Sequence, residues 1–253
     1  MPLADFRSPR LFLDAPLSAG AHVPLERPQA NYLGNVLRLG AGSTILVFNG
    51  RDGEWRATIG GGKRPDRLDI VAQTRPQDGL PDLAYVFAPL KHARLDYMVQ
   101  KAVEMGAATL QPVLTQHTQV SRVNGERMRA NAIEAAEQCG ILSIATVREP
   151  LTLERYLAGR DPRRLLVFCD EAAEAAPAIA ALDSGHDGGI DVLIGPEGGF
   201  AEAERAALLK QSKVLRLSLG PRILRADTAA VAALTLVQAT LGDWREASGV
   251  VDG

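Results

Sequence analysis

The chain has 253 residues, of which 46% are hydrophobic and 23% charged, with a formal net charge of -2. That length supports one or two domains with a sizeable core, and the composition is that of an ordinary soluble globular protein. The near-neutral balance excludes a uniformly basic coat for nucleic acid, but the charge is uneven: residues 1–78 carry 10 Lys/Arg against 8 Asp/Glu, and residues 79–253 carry 18 against 22. In the mildly basic first part Arg is much preferred to Lys, which suits planar contacts to phosphates and base edges. Cys139 and Cys169 form no CxxC spacing, so they predict neither a zinc site nor a disulfide framework, but reduced core residues. The N-terminus lacks the apolar core of a signal peptide, and no apolar run approaches the ~18 residues of a membrane span. The expectation is a cytoplasmic protein with no membrane partner and no metal.

In chain order, Leu11-Phe12-Leu13 is a short apolar run closed by Asp14-Ala15-Pro16. Within residues 29–39, Tyr32, Val36 and Leu39 fall at helical spacing, predicting a short helix ended by Gly40. Thr44–Phe48 reads as a buried strand and Asn49-Gly50 as a hairpin turn. Residues 54–59 and 67–71 alternate as further strands about the turn Gly60-Gly61-Gly62. Together these predict a small β-barrel-like domain over residues 1–75. Gly62-Lys63 does not make a phosphate loop, because Ala57 stands where the first glycine is needed and Arg64 replaces Ser/Thr. Residues 74–82 are polar, with two prolines and a glycine, and read as a linker.

From residue 83 strands alternate with helices. Residues 83–88, 110–114 and Leu165–Cys169 read as strands, and residues 127–138 as an alanine-rich helix. Residues 95–105 predict a helix with Leu95, Met98, Val99, Ala102 and Val103 facing the core, stopped by Gly106. Lys101 and Glu104, three apart, read as a helical ion pair. His92 and His117 have no carboxylate at a useful spacing and read as surface or satisfied polar residues. This pattern predicts an α/β domain over residues 79–253 with a largely parallel sheet.

Two glycine-bearing stretches organise its C-terminal half: Leu193-Ile194-Gly195-Pro196-Glu197-Gly198-Gly199-Phe200, and Leu217-Ser218-Leu219-Gly220-Pro221-Arg222-Ile223-Leu224-Arg225-Ala226-Asp227-Thr228. Each leaves an apolar strand and breaks at Gly-Pro, a stiff turn with exposed neighbouring amides. Residues 201–210 between them form a strong helix, acids first and Lys last. Read as adjacent parallel strands, the two end at the same sheet edge and place both loops where open α/β folds bind ligands. One Gly-Pro turn is most simply a β–α connection. Two of shared character, the second crowded with Arg222, Arg225 and Asp227, point to a small-molecule site built mainly from backbone groups. Ile223-Leu224 is expected to anchor the second loop, and Thr228 or Asp227 to cap the helix that follows.

These two motifs resemble the signature of the ribosomal RNA small subunit methyltransferase E family, within the SPOUT superfamily. The similarity extends to Ser8-Pro9-Arg10-Leu11-Phe12, Asn35-Val36-Leu37-Arg38-Leu39-Gly40, Lys91, Gln100-Lys101-Ala102-Val103-Glu104-Met105-Gly106 and Glu137-Gln138-Cys139-Gly140. The resemblance implies an N-terminal PUA-like domain that contacts RNA, and a C-terminal domain tied in a trefoil knot whose loops hold S-adenosylmethionine. It implies methylation of N3 of a uridine in 16S ribosomal RNA of the small subunit, by a homodimer. Cofactor binding is then expected from Leu193 to Gly199, Leu217 to Gly220, Ile223, Leu224 and Thr228, and RNA contact from Arg7, Arg10, Arg38 and Lys91. Two positions depart from the family: Asp227 stands where Glu is common, and Ile141 where Arg is common.

Uracil N3 carries a proton at neutral pH and is a poor nucleophile until it leaves. An enzyme can remove that proton with a base, or stabilise the anion that spreads onto O2 and O4. Each unit of pKa lowering is worth ~1.4 kcal/mol, and one or two guanidiniums can supply several such units. Arg225 and Arg222 are the candidates for that stabilisation. Glu197 and Asp227, the nearest carboxylates, are each either a base or the group that orients an arginine. One rival reading is a non-catalytic RNA-binding adaptor that keeps the fold. Another is a dinucleotide-dependent oxidoreductase, disfavoured because no G-x-G-x-x-G follows a strand early in the α/β part.

Overall fold

The computed structural model describes residues 7–245, apart from residues 63, 121, 171, 172, 174–176, 183, 184 and 187. The chain divides into two compact units, Met1–Gly79 with Ile133–Ile144, and Leu80–Ala132 with Ala145–Gly253.

The first unit contains β1 (Arg10–Phe12), β2 (His22–Pro24), α1 (Arg27–Asn31), β3 (Thr44–Phe48), β4 (Glu54–Gly61) and β5 (Pro65–Arg75). The strands form one five-stranded sheet in the order β1-β3-β4-β5-β2, parallel between β1 and β3 and antiparallel elsewhere. The β-barrel-like unit is thus built from a sheet whose outermost strands do not pair with each other among the described residues. Period-two alternation turns Ile45 and Val47, Ala57 and Ile59, and Leu68 and Ile70 into one core around Leu13 and Leu33. At the β3–β4 hairpin Gly50 has φ 84, and the Asn49 side-chain oxygen accepts from the amides of Arg51 and Asp52. The helix expected over residues 29–39 is shorter. Gln29 reaches back to the Glu26 amide to start α1, and the chain then widens into a π-turn, Tyr32–Val36, where the Leu37 amide bonds to Tyr32. Arg38, at φ 56, ends it.

Three expectations are corrected here. Residues 74–82 hold the boundary between the units, at Gly79 and Leu80, but as linker they are shorter than expected: β5 runs to Arg75, and Gln77 accepts from the Gly53 amide and donates to Ser143. Arg10 is not a surface residue. Its side chain is 3% exposed and its Nε donates to Glu54 at 2.9 Å, with Arg75 and Thr74 on the same carboxylate. Ile133–Ile144 belongs with the N-terminal unit, where Glu137 accepts from the Phe12 amide at 2.8 Å, and Ala136 and Leu142 pack with Phe48. Burial raises the Glu137 pKa.

The second unit runs β6 (Leu83–Phe87), α2 (His92–Glu104), β7 (Thr109–Leu114), the start of α3 (Gly125–Cys139), β8 (Thr146–Val147), β9 (Leu151–Thr152), α4 (Leu153–Gly159), β10 (Leu165–Cys169), α5 (Ala178–Leu182), β11 (Ile190–Ile194), α6 (Glu202–Leu209), β12 (Val214–Leu217) and α7 (Ala226–Thr240). Every strand pairing in it is parallel, in the order β12-β10-β11-β6-β7-β8, with β9 also on β7. Every residue of β6 and β11 is buried, which is why both read as largely apolar runs, interrupted in β11 only by the buried Asp191. Met98, Val99, Ala102 and Val103 of α2 are buried as its spacing predicts, and Gly106 ends the helix at φ 81. Lys101 and Glu104 form their ion pair, at 2.7 Å. The cysteines are a further correction: Cys139 is exposed at the end of α3, and Cys169 is half-buried, its thiol pushed up to about 12 by burial. No helix among the described residues is long and apolar enough to cross a membrane.

Candidate functional site

The glycine loops leave β11 and β12 at the C-terminal edge of the parallel sheet. The two strands are not neighbours. β10 pairs with both, so the loops flank its end at Cys169 and Asp170. The first loop is rigid for reasons visible in its residues. A side chain at Gly195 would lie 2.6 Å from the Phe200 ring, which stacks edge-on against Phe168 at 5.1 Å. Gly199 has φ 68, and its amide donates to Pro196 at 2.9 Å. His117, from the loop after β7, donates from Nδ1 to the carbonyls of Gly198 and Gly199 at 3.1 and 3.0 Å. Since carbonyls only accept, the proton sits on Nδ1. Glu204 of α6 accepts from the amides of Ala201 and Gln116, joining this loop to the one after β7.

Gly198 is exposed in this framework, and a Cβ there would meet the His117 side chain at ordinary contact distance, its Cβ at 3.4 Å and its Nδ1 at 3.8 Å. Gly198→Val therefore leaves the fold intact while filling the space over the loop. We expect calorimetry to show loss of binding of any ligand seated on these amides, with an unchanged melting temperature. Unchanged affinity would remove the loop from the site.

The second loop is more open. Gly220 has φ 96 with nothing within 4 Å of a hypothetical Cβ, and Pro221, Arg222 and Ile223 are exposed. Ile223 is 98% exposed and does not anchor the loop, which corrects the expectation; Leu217 is buried and Leu224 half-buried. The cap is also corrected. Arg225 is the N-cap of α7, with extended backbone at φ -66 and ψ 152, and Ala226 behind it is buried. Asp227 lies in the first turn and accepts from the Thr228 amide, where a carboxylate also meets the helix dipole favourably. Thr228 is exposed. The side chains of Arg222 and Arg225 are exposed and form no hydrogen bond with a described residue.

The residue that sequence reasoning missed is Arg94. It projects from the first turn of α2, donating from Nε to Asp227 at 3.0 Å and from Nη1 to Glu197 at 2.7 Å. The two carboxylates expected beside the glycine loops thus share one guanidinium. Its hydrogen bond is the largest influence on Asp227, holding that carboxyl below its ordinary pKa against the effect of burial, with help from the Thr228 amide. Asp227 reaches this partner from the start of α7, 133 positions away in sequence. The helix expected over residues 95–105 leaves Arg94 outside it; only with the start at His92 does a cation stand in the first turn with no acid, contrary to the helix dipole.

Of the residues expected to meet RNA, Arg7, Arg38 and Lys91 are exposed, Lys91 as the N-cap of α2 in the second unit, whereas Arg10 is interior. Two cavities of the second unit lie at other ends of its strands. One of 310 Å³ is bounded by Leu83, Ile190 and Val237, and one of 280 Å³ by Gln111, Arg160 and Asp191. The glycine loops present an accessible surface instead.

An RNA methyltransferase domain matches residues 78–238, and an RNA methyltransferase PUA domain matches residues 25–70. The architecture is therefore that of an RNA methyltransferase with a PUA domain. The ribosomal RNA small subunit methyltransferase E of Synechocystis is 31% identical over 228 residues, 87% of this chain and 74% of that protein. The protein of the same name from Rickettsia conorii is 28% identical over 232 residues, 90% of this chain and 94% of that one. The crystal structure of a ribosomal RNA small subunit methyltransferase E from Neisseria gonorrhoeae bound to S-adenosyl methionine superposes with a TM-score of 0.79 at 26% identity, covering 92% of this chain and 98% of that one. This chain belongs to the ribosomal RNA small subunit methyltransferase E family.

Proposed function

We propose that this protein uses S-adenosylmethionine to methylate 16S ribosomal RNA, and that the target atom is N3 of a uridine. The observation that carries the site assignment is the rigid first glycine loop, joined through Arg94 to the helix start that follows Arg225, with Arg222 and Arg225 forming no hydrogen bond to a described residue. The residues fit the cofactor: among the described residues the amides of Gly198, Leu219 and Gly220 donate to no backbone carbonyl, leaving donors free for a ligand. Leu193 to Gly199, Leu217 to Gly220, Ile223, Leu224 and Thr228 would hold it. Bound there, it would supply an electrophilic methyl group from its sulfonium and be left as the neutral thioether.

The protein's own part is to make N3 a nucleophile and to hold it. Arg225 and Arg222 can donate to O2 and O4 of the base as negative charge spreads onto them, and the N3 proton leaves to solvent. Asp227 orients rather than accepts that proton: its carboxylate is committed to Arg94 and its pKa is depressed, so it is a weak base. Glu197, on the same guanidinium, has the same orienting part. Arg7, Arg38 and Lys91 supply contacts to the RNA phosphates. The family resemblance further supports a cytoplasmic homodimer acting on the small subunit, with the cofactor loops in a trefoil knot.

Two measurements test this. Purified protein added to small subunits from cells lacking it should place one methyl group on a uridine of the 16S RNA, read by mass mapping of the RNA. RNA binding without methyl transfer would make the protein an adaptor. In single-turnover assays the rate should rise with pH through neutral and alkaline values in both the parent and Asp227→Asn, because the titrating group is the uridine. Loss of that rise in Asp227→Asn would make Asp227 the base.

A further inference from the structure

Arg94 occupies a position that local rules disfavour. It lies in the first turn of α2, where the helix dipole repels a cation, with no acid and no side-chain cap beside it. Its Nη2 is buried with no hydrogen-bond partner among the described residues, an unsatisfied donor that native interiors rarely tolerate. What holds it there is tertiary: Asp227 at the start of α7 on Nε, and Glu197 in the first glycine loop on Nη1. The side chain is 35% exposed, and its partners 17% and 42%. The contact with Glu197 is thus solvent-screened and adds little stability on its own. A local rule broken for an arrangement whose Glu197 arm adds little stability is the pattern expected at a functional site.

We infer that Arg94 is a positioning residue, a brace that ties the first glycine loop to the start of α7 and so sets the spacing between the cofactor loop and Arg225. A guanidinium suits the task, since its fork offers two donors in fixed relative directions and an ammonium is a single point. Because Arg225 directly precedes the turn that carries Asp227, pulling on that carboxylate orients the backbone from which Arg225 projects. The brace explains why Glu197 and Asp227 are both carboxylates without either being a base. Its catalytic meaning rests on the function proposed above; its mechanical meaning does not.

Hydrogen exchange of the free, full-length protein tests the mechanical part. In Arg94→Ala, amides of residues 197–199 and 226–229 should exchange about tenfold faster, the effect of losing one charge-assisted hydrogen bond. Those of β6, β10 and β11 should keep their protection, and Arg94→Lys should restore one of the two segments. Unchanged exchange in both segments, or a uniform rise throughout the unit, overturns the brace. Calorimetry with S-adenosylhomocysteine tests the link to function. Arg94→Ala should bind it about tenfold more weakly, and Glu197→Gln should add nothing further in that background. Full additivity of the two changes overturns the link. Failure of the parent protein to bind would instead refute the cofactor assignment, while the exchange result still decides the brace.

Discussion

Arg225→Lys should lower the single-turnover rate of methyl transfer by about a hundredfold or more, the loss typical of one oxyanion-type donor, with cofactor affinity nearly unchanged. Arg225 is the N-cap of α7, so its backbone is fixed by the helix start and by buried Ala226 rather than by its exposed neighbour Ile223. Its side chain is exposed and forms no hydrogen bond with a described residue, which suits it to a developing negative charge on the base. Lysine keeps the charge but not the planar pair of donors, and its hydrated ammonium must be stripped of water to do the same work. Because the interaction grows only as charge develops, the loss should appear in turnover and not in binding. Near-normal turnover in Arg225→Lys removes it from the catalytic set. An equal loss in Arg222→Lys would mean that the two act as one unit.

Glu54→Gln should destabilise the protein by about 3–5 kcal/mol, the usual result of removing one partner from a buried ion pair. Glu54 is 2% exposed and Arg10, its partner, is interior, while Arg75 and Thr74 complete the set on the carboxylate. Burial alone would raise the Glu54 pKa, but the bonds from Arg75, Arg10 and Thr74 outweigh it and hold it below the ordinary value. A folded-state pKa below the unfolded one means stability that is present at neutral pH and is lost as pH falls below about 4. Glu54→Gln removes that contribution at neutral pH and takes the carboxylate charge away from buried Arg10 and from Arg75. Urea unfolding at pH 7 and pH 3.5 measures both effects. A loss under about 1 kcal/mol would show the cluster to be solvated. The same reasoning makes Arg10→Ala a stability variant, not an RNA-binding one.

Much of the site was legible because its residues are neighbours in sequence. Gly195 to Gly199 and Gly220 to Arg225 lie on two short stretches whose Gly-Pro breaks and flanking apolar strands announce themselves. Arg94 was not legible, since its partners lie 103 and 133 positions away. His117 was read as a satisfied polar residue, which it is, but that its satisfaction locks the first glycine loop depends on a contact across 81 positions. Strands of two or three residues, β2, β8 and β9, are too short to show a period. α4 was passed over although Leu153, Tyr156 and Leu157 carry helical spacing and Thr152 accepts from the Arg155 amide as its cap.

The sequence by itself determined where the buried strands of the α/β part and the paired glycine loops fall, because each is set by local composition and periodicity acting on neighbouring residues, whereas the assignment of Ile133–Ile144 to the N-terminal unit was not legible in it. Only the tertiary structure decided which strands lie side by side, with β10 between β11 and β12, and which charges meet. Arg10 and Arg38 look alike in sequence, yet one is interior against Glu54 and the other exposed at a positive φ. Pairings of this kind depend on distances between residues remote along the chain. A single sequence carries no measure of those distances, and burial, which turns a charge from a surface contact into a structural pair, is a property of the packed whole.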